Sequence, residues 1–264
     1  YTGNANSSSL SSVSNAGKVT AQAVSSNSYV GGLIGYVGLS GAQITGGVNE
    51  ATGTVTALGN YAGGITGYTS SSINLNNVTN AAAITGKDYT AGLAGFTSGS
   101  ASLTNVMNTG PVIGLQYTGG LVGKANNSFS VLNSSNQGSV TGTNFTAGGA
   151  GYSMGGASFT SFTNSGAISG SGSNNVGGLG GYLANTLTVS NSTNTGSISG
   201  GSYVGGLGGY VEGATTVSNS TNSGAVTGLL YTGGVAGKIN NTVSLTGFTN
   251  SGNITGTNYL AGGF

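Results

Sequence analysis

Apolar side chains in this chain come in short runs, in three stretches that return about every 28 residues. The first stretch reads Tyr117-Thr118-Gly119-Gly120-Leu121-Val122-Gly123-Lys124. Near-copies run from Tyr29 to Tyr36, Tyr61 to Tyr68, Tyr89 to Phe96, Phe145 to Tyr152, Asn175 to Tyr182, Tyr203 to Tyr210 and Tyr231 to Lys238, and a shortened one from Tyr259 to Phe264. Its alternation predicts a strand with Tyr117, Gly119, Leu121 and Gly123 on one side and Thr118, Gly120 and Val122 on the other. The second stretch is Ser102-Leu103-Thr104-Asn105-Val106-Met107-Asn108, and the third is Gly138-Ser139-Val140-Thr141-Gly142. Val, Ile, Thr and Tyr bounded by Gly, Asn and Ser predict strands and turns. Glycine at this density opposes helix, at about 1 kcal/mol per interior position.

A fixed period in this range is the mark of stacked repeats. Three short strands and three corners make one coil, and equivalent residues then stack at about 4.8 Å. The expected fold is all-β: a right-handed parallel β-solenoid of about nine coils, roughly 45 Å long, in one continuous domain over residues 1–264. Three apolar columns are expected inside, one side chain per strand per coil. They are Leu33, Ile65, Leu93, Leu121, Leu179, Leu207 and Val235; Leu10, Ile44, Leu75, Leu103, Val131, Phe159, Val189, Val217 and Leu245; and Val19, Val55, Ile84, Val112, Val140, Ile168, Ile198, Val226 and Ile254.

Two polar columns accompany them. Asn15, Asn49, Asn80, Asn108, Asn136, Asn164, Asn194, Asn222 and Asn250 recur in every coil, with a partner column at Asn77, Asn105, Asn133, Asn191 and Asn219 that lapses to Ser161 and Gly247. Asparagine accepts left-handed backbone at a corner, and its amide can donate to one neighbouring copy while accepting from the other. A structural ladder is therefore expected in preference to metal or sugar ligation. Gly149, at a leucine position, and Asn175, at an aromatic one, predict poorer packing in their coils. Longer spacings after Asn15 and Asn49 predict protruding corners in the first coils.

The composition removes most chemistry. The charged residues are Lys18, Lys87, Lys124, Lys238, Glu50, Asp88 and Glu212, and there is no Arg, His, Cys or Trp. Without His or Cys, and with three carboxylates at different phases of the repeat, an enzyme is not expected. Neither is a metal, any other cofactor or repeated calcium sites, which need a carboxylate in each coil. A net charge of +1 offers no stripe for nucleic acid. No apolar run reaches the roughly 18 residues of a membrane span. Threonines at 85, 141, 227 and 255 lack the paired array that ice binding would want.

The Gly-Gly-Leu-x-Gly core between aromatics, best spelled at Gly32-Leu33-Ile34-Gly35, Gly120-Leu121-Val122-Gly123 and Gly206-Leu207-Gly208-Gly209, resembles the GLUG repeat of bacterial surface proteins. The resemblance runs through nearly the whole chain. It implies an extracellular rod, stalk or filament segment of a surface adhesin, with no catalytic residue to carry over. The expected partners are further coils, from flanking repeats of the same polypeptide or from another copy head to tail, since the chain reads as an excerpt of a longer assembly. The competing expectation is an adhesive module that binds glycans or surfaces through exposed aromatics at Tyr29, Tyr61, Tyr89, Tyr117, Tyr203 and Tyr231, or through the Asn/Thr columns. Stacked rings covering glycine backbone are the favoured use of those aromatics. Sequons occur at Asn6, Asn77, Asn126, Asn133, Asn144, Asn191, Asn219, Asn240 and Asn253. At Asn133, Asn191 and Asn219 a glycan is expected to disrupt the ladder.

Overall fold

The computed structural model describes residues 9–22, 28–38, 40–172, 174–258 and 260–263. Tyr259, Phe264, the opening Tyr1-Thr2-Gly3 and the Asn6 sequon lie outside them. Among the described residues there is no helix, and every strand pairing is parallel to the equivalent strand one coil away. The chain is a β-solenoid of eight full turns and part of a ninth, about 40 Å long at the usual strand spacing.

The three predicted stretches are present in each coil, and two of them are bent. The tyrosine-led stretch splits into Tyr117–Gly119, in a nine-stranded sheet I, and Val122–Ala125, in an eight-stranded sheet II. The second stretch belongs to a sixteen-stranded sheet III and bends at Asn105, between Ala101–Thr104 and Met107–Asn108. The third is straight: Val112–Ile113 and Val140–Gly142 lie in the nine-stranded sheet IV. Residues pair with their own repeat equivalents throughout, as in Tyr89 with Tyr117, Leu103 with Val131, and Val112 with Val140.

The bend in the first stretch corrects its expected alternation. The chain reverses at Gly120-Leu121, so sheets I and II lie back to back, and Thr118, Leu121 and Val122 are all buried. Alternation holds only within a strand, and a corner resets which side faces inward. Glycine makes the reversal feasible. A Cβ at Gly123 would fall against the carbonyl oxygens of Gly95 and Tyr117, leaving no room for a side chain between the two arms.

All three apolar columns point inward, with Leu10, Leu33, Val19 and Ile254 partly covered and Leu245 exposed at their ends, while Val235 is buried. The core is larger than one side chain per strand. Sheet II also buries Val122 and Ala125, sheet III buries Phe129, and the residue after each bend turns in, as Val78, Val106 and Phe162 do. That inward turn after a left-handed residue has no counterpart in simple alternation, and the sequence pattern did not reveal it. The coil with Gly149 packs fully: the Phe159 ring occupies the space that a side chain at Gly149 would take, one large residue offsetting one missing one. The extra residues after Asn49 do form an exposed turn at 50–52, while most of those after Asn15 fall outside the described residues.

Candidate functional site

Two repeated features stand out: an asparagine ladder inside and an aromatic ribbon outside. Each ladder amide donates through Nδ2 to Oδ1 of the next copy, from Asn49 to Asn80, Asn80 to Asn108, Asn108 to Asn136 and Asn136 to Asn164 at 2.8 Å. The run continues from Asn164 to Asn194, Asn194 to Asn222 and Asn222 to Asn250 at 2.7 Å, and Asn15 begins it at 3.0 Å. The second amide proton goes to the backbone carbonyl two residues on, as in Asn136 to Gly138 at 2.9 Å. Each amide from Asn80 to Asn222 thus donates twice and accepts from its neighbour, which removes the cost of burying it.

The ladder also explains the most regular glycine of the repeat. A Cβ at Gly120 would collide with the Asn136 side-chain carbonyl and the Gly148 carbonyl oxygen; at Gly64 it would meet Asn80, and at Gly206 Asn222. The amides therefore press against the fold between sheets I and II. They line the boundary between two apolar clusters, one built on the Leu121 and Leu103 columns and the other on the Val140 column. The ladder amides are taken up by one another and by backbone carbonyls.

The partner column has a different role from the one its spacing suggested. Asn77, Asn105, Asn133, Asn191 and Asn219 are exposed and hold φ between 46° and 53°, with Ser161 at 51° and Gly247 at 64°. They form the left-handed corners of sheet III and take no part in the buried ladder. The expectation that a glycan at Asn133, Asn191 or Asn219 would disrupt the ladder is corrected accordingly, since these residues face out. Beside them, Ser134, Ser192 and Ser220 turn in, and their hydroxyls accept the backbone N–H groups of Val106, Phe162 and Ser192 at 3.0–3.1 Å.

The ribbon follows from the reversal. Residues seven apart in the motif sit at the two open ends of one fold, so the column of Tyr29, Tyr61, Tyr89, Tyr117 and Phe145 meets that of Tyr36, Tyr68, Phe96, Lys124 and Tyr152. Within a column the rings stack: Tyr61 and Tyr89 have centroids 4.7 Å apart at 7°, Tyr89 and Tyr117 5.0 Å at 6°, Tyr152 and Tyr182 4.9 Å at 8°, and Tyr203 and Tyr231 5.2 Å at 5°. Between columns most contacts are edge to face, as between Tyr61 and Tyr68 at 5.2 Å and 86°, whereas Tyr29 is tilted against Tyr36 and Tyr68, and Tyr203 and Tyr210 lie at 23°. The two lysines continue the pattern as cations. Lys124 Nζ lies 5.1 Å from both the Tyr117 and Tyr152 rings, and Lys238 Nζ 5.2 Å from Tyr210.

Burial among these rings raises the phenol pKa values of Tyr61, Tyr68, Tyr117, Tyr152 and Tyr182, and pushes Tyr89 up to about 12. Nearby phenols and carboxylates add to it, and Tyr182 also donates to Glu212. Desolvation lowers the Lys124 amine. The ribbon falters at Asn175, buried with its Oδ1 unpartnered; beyond it Tyr182 and Tyr210 meet at 80° instead of stacking. Among the described residues, no group of three or more carboxylate, imidazole or thiol side chains is placed to hold a metal, and no helix is long and apolar enough to cross a membrane.

Residues 200–227, one coil that opens the stretch at Tyr203, match the family model for the GLUG motif. No curated protein and no solved structure matches the chain. The chain is thus a β-solenoid carrying a GLUG repeat.

Proposed function

We propose that this solenoid is a mechanical segment, a rod, stalk or filament unit, of an extracellular surface adhesin, extended at its ends by further coils. The observation that carries the reading is the uninterrupted register: strands of each coil pair in parallel with their repeat equivalents in the next, and Val217, with a coil on either side, is 1% exposed. Strand edges of this kind accept a further coil in the same register, from the same polypeptide or from a second copy. An adhesive role for the tyrosines is disfavoured, because neighbouring rings occupy most of the faces that would stack on a sugar. The described tyrosines are only partly exposed, apart from Tyr36 at 51% exposure.

Concentration-dependent light scattering on the chain tests this. Association into longer rods, suppressed by Leu245→Asp, is the expected result. A stable monomer at high concentration, with both end coils protected from hydrogen exchange, would instead favour a self-contained binding domain.

A further inference from the structure

The ribbon holds more tyrosine than a cover for glycine requires. The chain has 13 tyrosines, and each of the eleven at described positions has another tyrosine ring within 5.5 Å. Where one column carries Phe or Asn, the other carries tyrosine: Tyr152 stands beside Phe145 at 5.4 Å, and Tyr117 reaches Tyr152 at 5.5 Å. The parallel pairs are the important ones. In Tyr61–Tyr89, Tyr36–Tyr68, Tyr152–Tyr182 and Tyr203–Tyr231 the planes differ by 5–8° and the centroids lie 4.7–5.5 Å apart. Each pair joins residues 28, 30 or 32 positions apart in sequence and adjacent in register. The rings are partly exposed, with Tyr36 half so.

We propose that the ribbon is a site of oxidative tyrosine coupling, in which stacked phenols of adjacent coils join as dityrosine and staple the solenoid along its outer edge. The co-reactant is hydrogen peroxide acting through a one-electron haem peroxidase. Each of two phenols loses one electron and its hydroxyl proton, giving two phenoxyl radicals. The radicals combine through the ring carbons ortho to the oxygens, forming one carbon–carbon bond. The hydrogens on those carbons then move to the oxygens and restore both phenols. One peroxide takes up the two electrons and two protons and becomes two waters. Stacking holds the two rings within 4.7–5.5 Å of each other, so radicals formed in the ribbon meet within the chain before they meet another molecule.

The test treats the dilute folded chain with peroxide and a haem peroxidase, then maps cross-linked peptides by mass spectrometry. Links confined to tyrosines one coil apart, with Tyr61–Tyr89 among them, are expected on a chain that stays monomeric on a denaturing gel. The double variant Tyr61→Phe with Tyr117→Phe should lose the links to Tyr89 and keep Tyr152–Tyr182. Phenylalanine already stands in these columns at Phe96 and Phe145, so the stack is retained. The same reaction in denaturant should lose the one-coil pattern. Coupling mainly between chains, or an identical pattern from the denatured chain, would overturn the proposal, as would consumption of tyrosine without adjacent-coil links.

Discussion

At the scale of single residues, two asparagines three positions apart show how burial separates like side chains. Asn136 is buried, accepts from Asn108 and donates to Asn164 and Gly138, while Asn133 is exposed at φ 48°. Asn136→Ala leaves one donor, on Asn108, and two acceptors, on Asn164 and Gly138, unpaired in the interior, and should lower stability by about 3 kcal/mol. Asn133→Gly keeps the left-handed corner and should stay within about 0.5 kcal/mol. Denaturant titration of both variants checks the contrast, and equal losses would place the corner in the ladder. A second residue effect has the opposite sign. The Thr118 hydroxyl is buried without a partner, and the same column holds Val30, Val176 and Val204. Thr118→Val should therefore raise stability by about 1 kcal/mol, read as a higher melting temperature.

At the scale of the element, sheet IV is the simplest strand of the coil. Val140 lies against Val112 and Ile168, wholly buried, while Thr141 stands outside beside Ile113 and Ser169. Val140→Asp introduces an unpaired carboxylate into the interior and should cost about 4 kcal/mol. Thr141→Asp meets no acidic neighbour in register and should cost less than about 1 kcal/mol. Thermal unfolding of the pair separates them, and similar losses would mean that the strand's faces are exchanged. Sheets I and II obey a different constraint. Their separation is set by glycine backbone, so the tyrosines at their open ends are brought together by the fold and not by pairing within one sheet.

At the scale of the whole molecule, the ribbon makes stability depend on alkaline pH. Burial raises the phenol pKa values of Tyr61, Tyr68, Tyr117, Tyr152 and Tyr182, and takes Tyr89 to about 12, from the ordinary 10.0. Below that ordinary value both folded and unfolded chains keep these protons, and stability is unaffected. As pH rises above it the unfolded chain releases them first, so stability falls until the folded phenols also ionise. Partial exposure screens each contribution, and several rings act together. Melting temperatures should be level near pH 8 and decline beyond about pH 10, with tyrosinate absorbance lagging in the folded chain. A flat profile, with absorbance rising at the ordinary phenol value, would remove the ribbon as its source.

The 28-residue period by itself determined the parallel solenoid, the three inward columns and the nine asparagines that stack, because every coil repeats the same register and each copy restates the pattern. It also separated strand from corner, since β-branched residues and glycine–asparagine boundaries carry local preferences. Tertiary structure alone decided where the strands bend. Asn105 and Asn108 look alike in sequence, and only the fold puts one at a left-handed corner and the other against Gly92. The back-to-back fold of sheets I and II was hidden for the same reason: alternation reports the side of a residue only while the strand stays straight. The continuity of the tyrosine ribbon, and the filling of the gap at Gly149 by Phe159, depend on distances between residues seven or ten positions apart across a reversal. A period fixes which copies stack; it leaves open how each coil closes on itself.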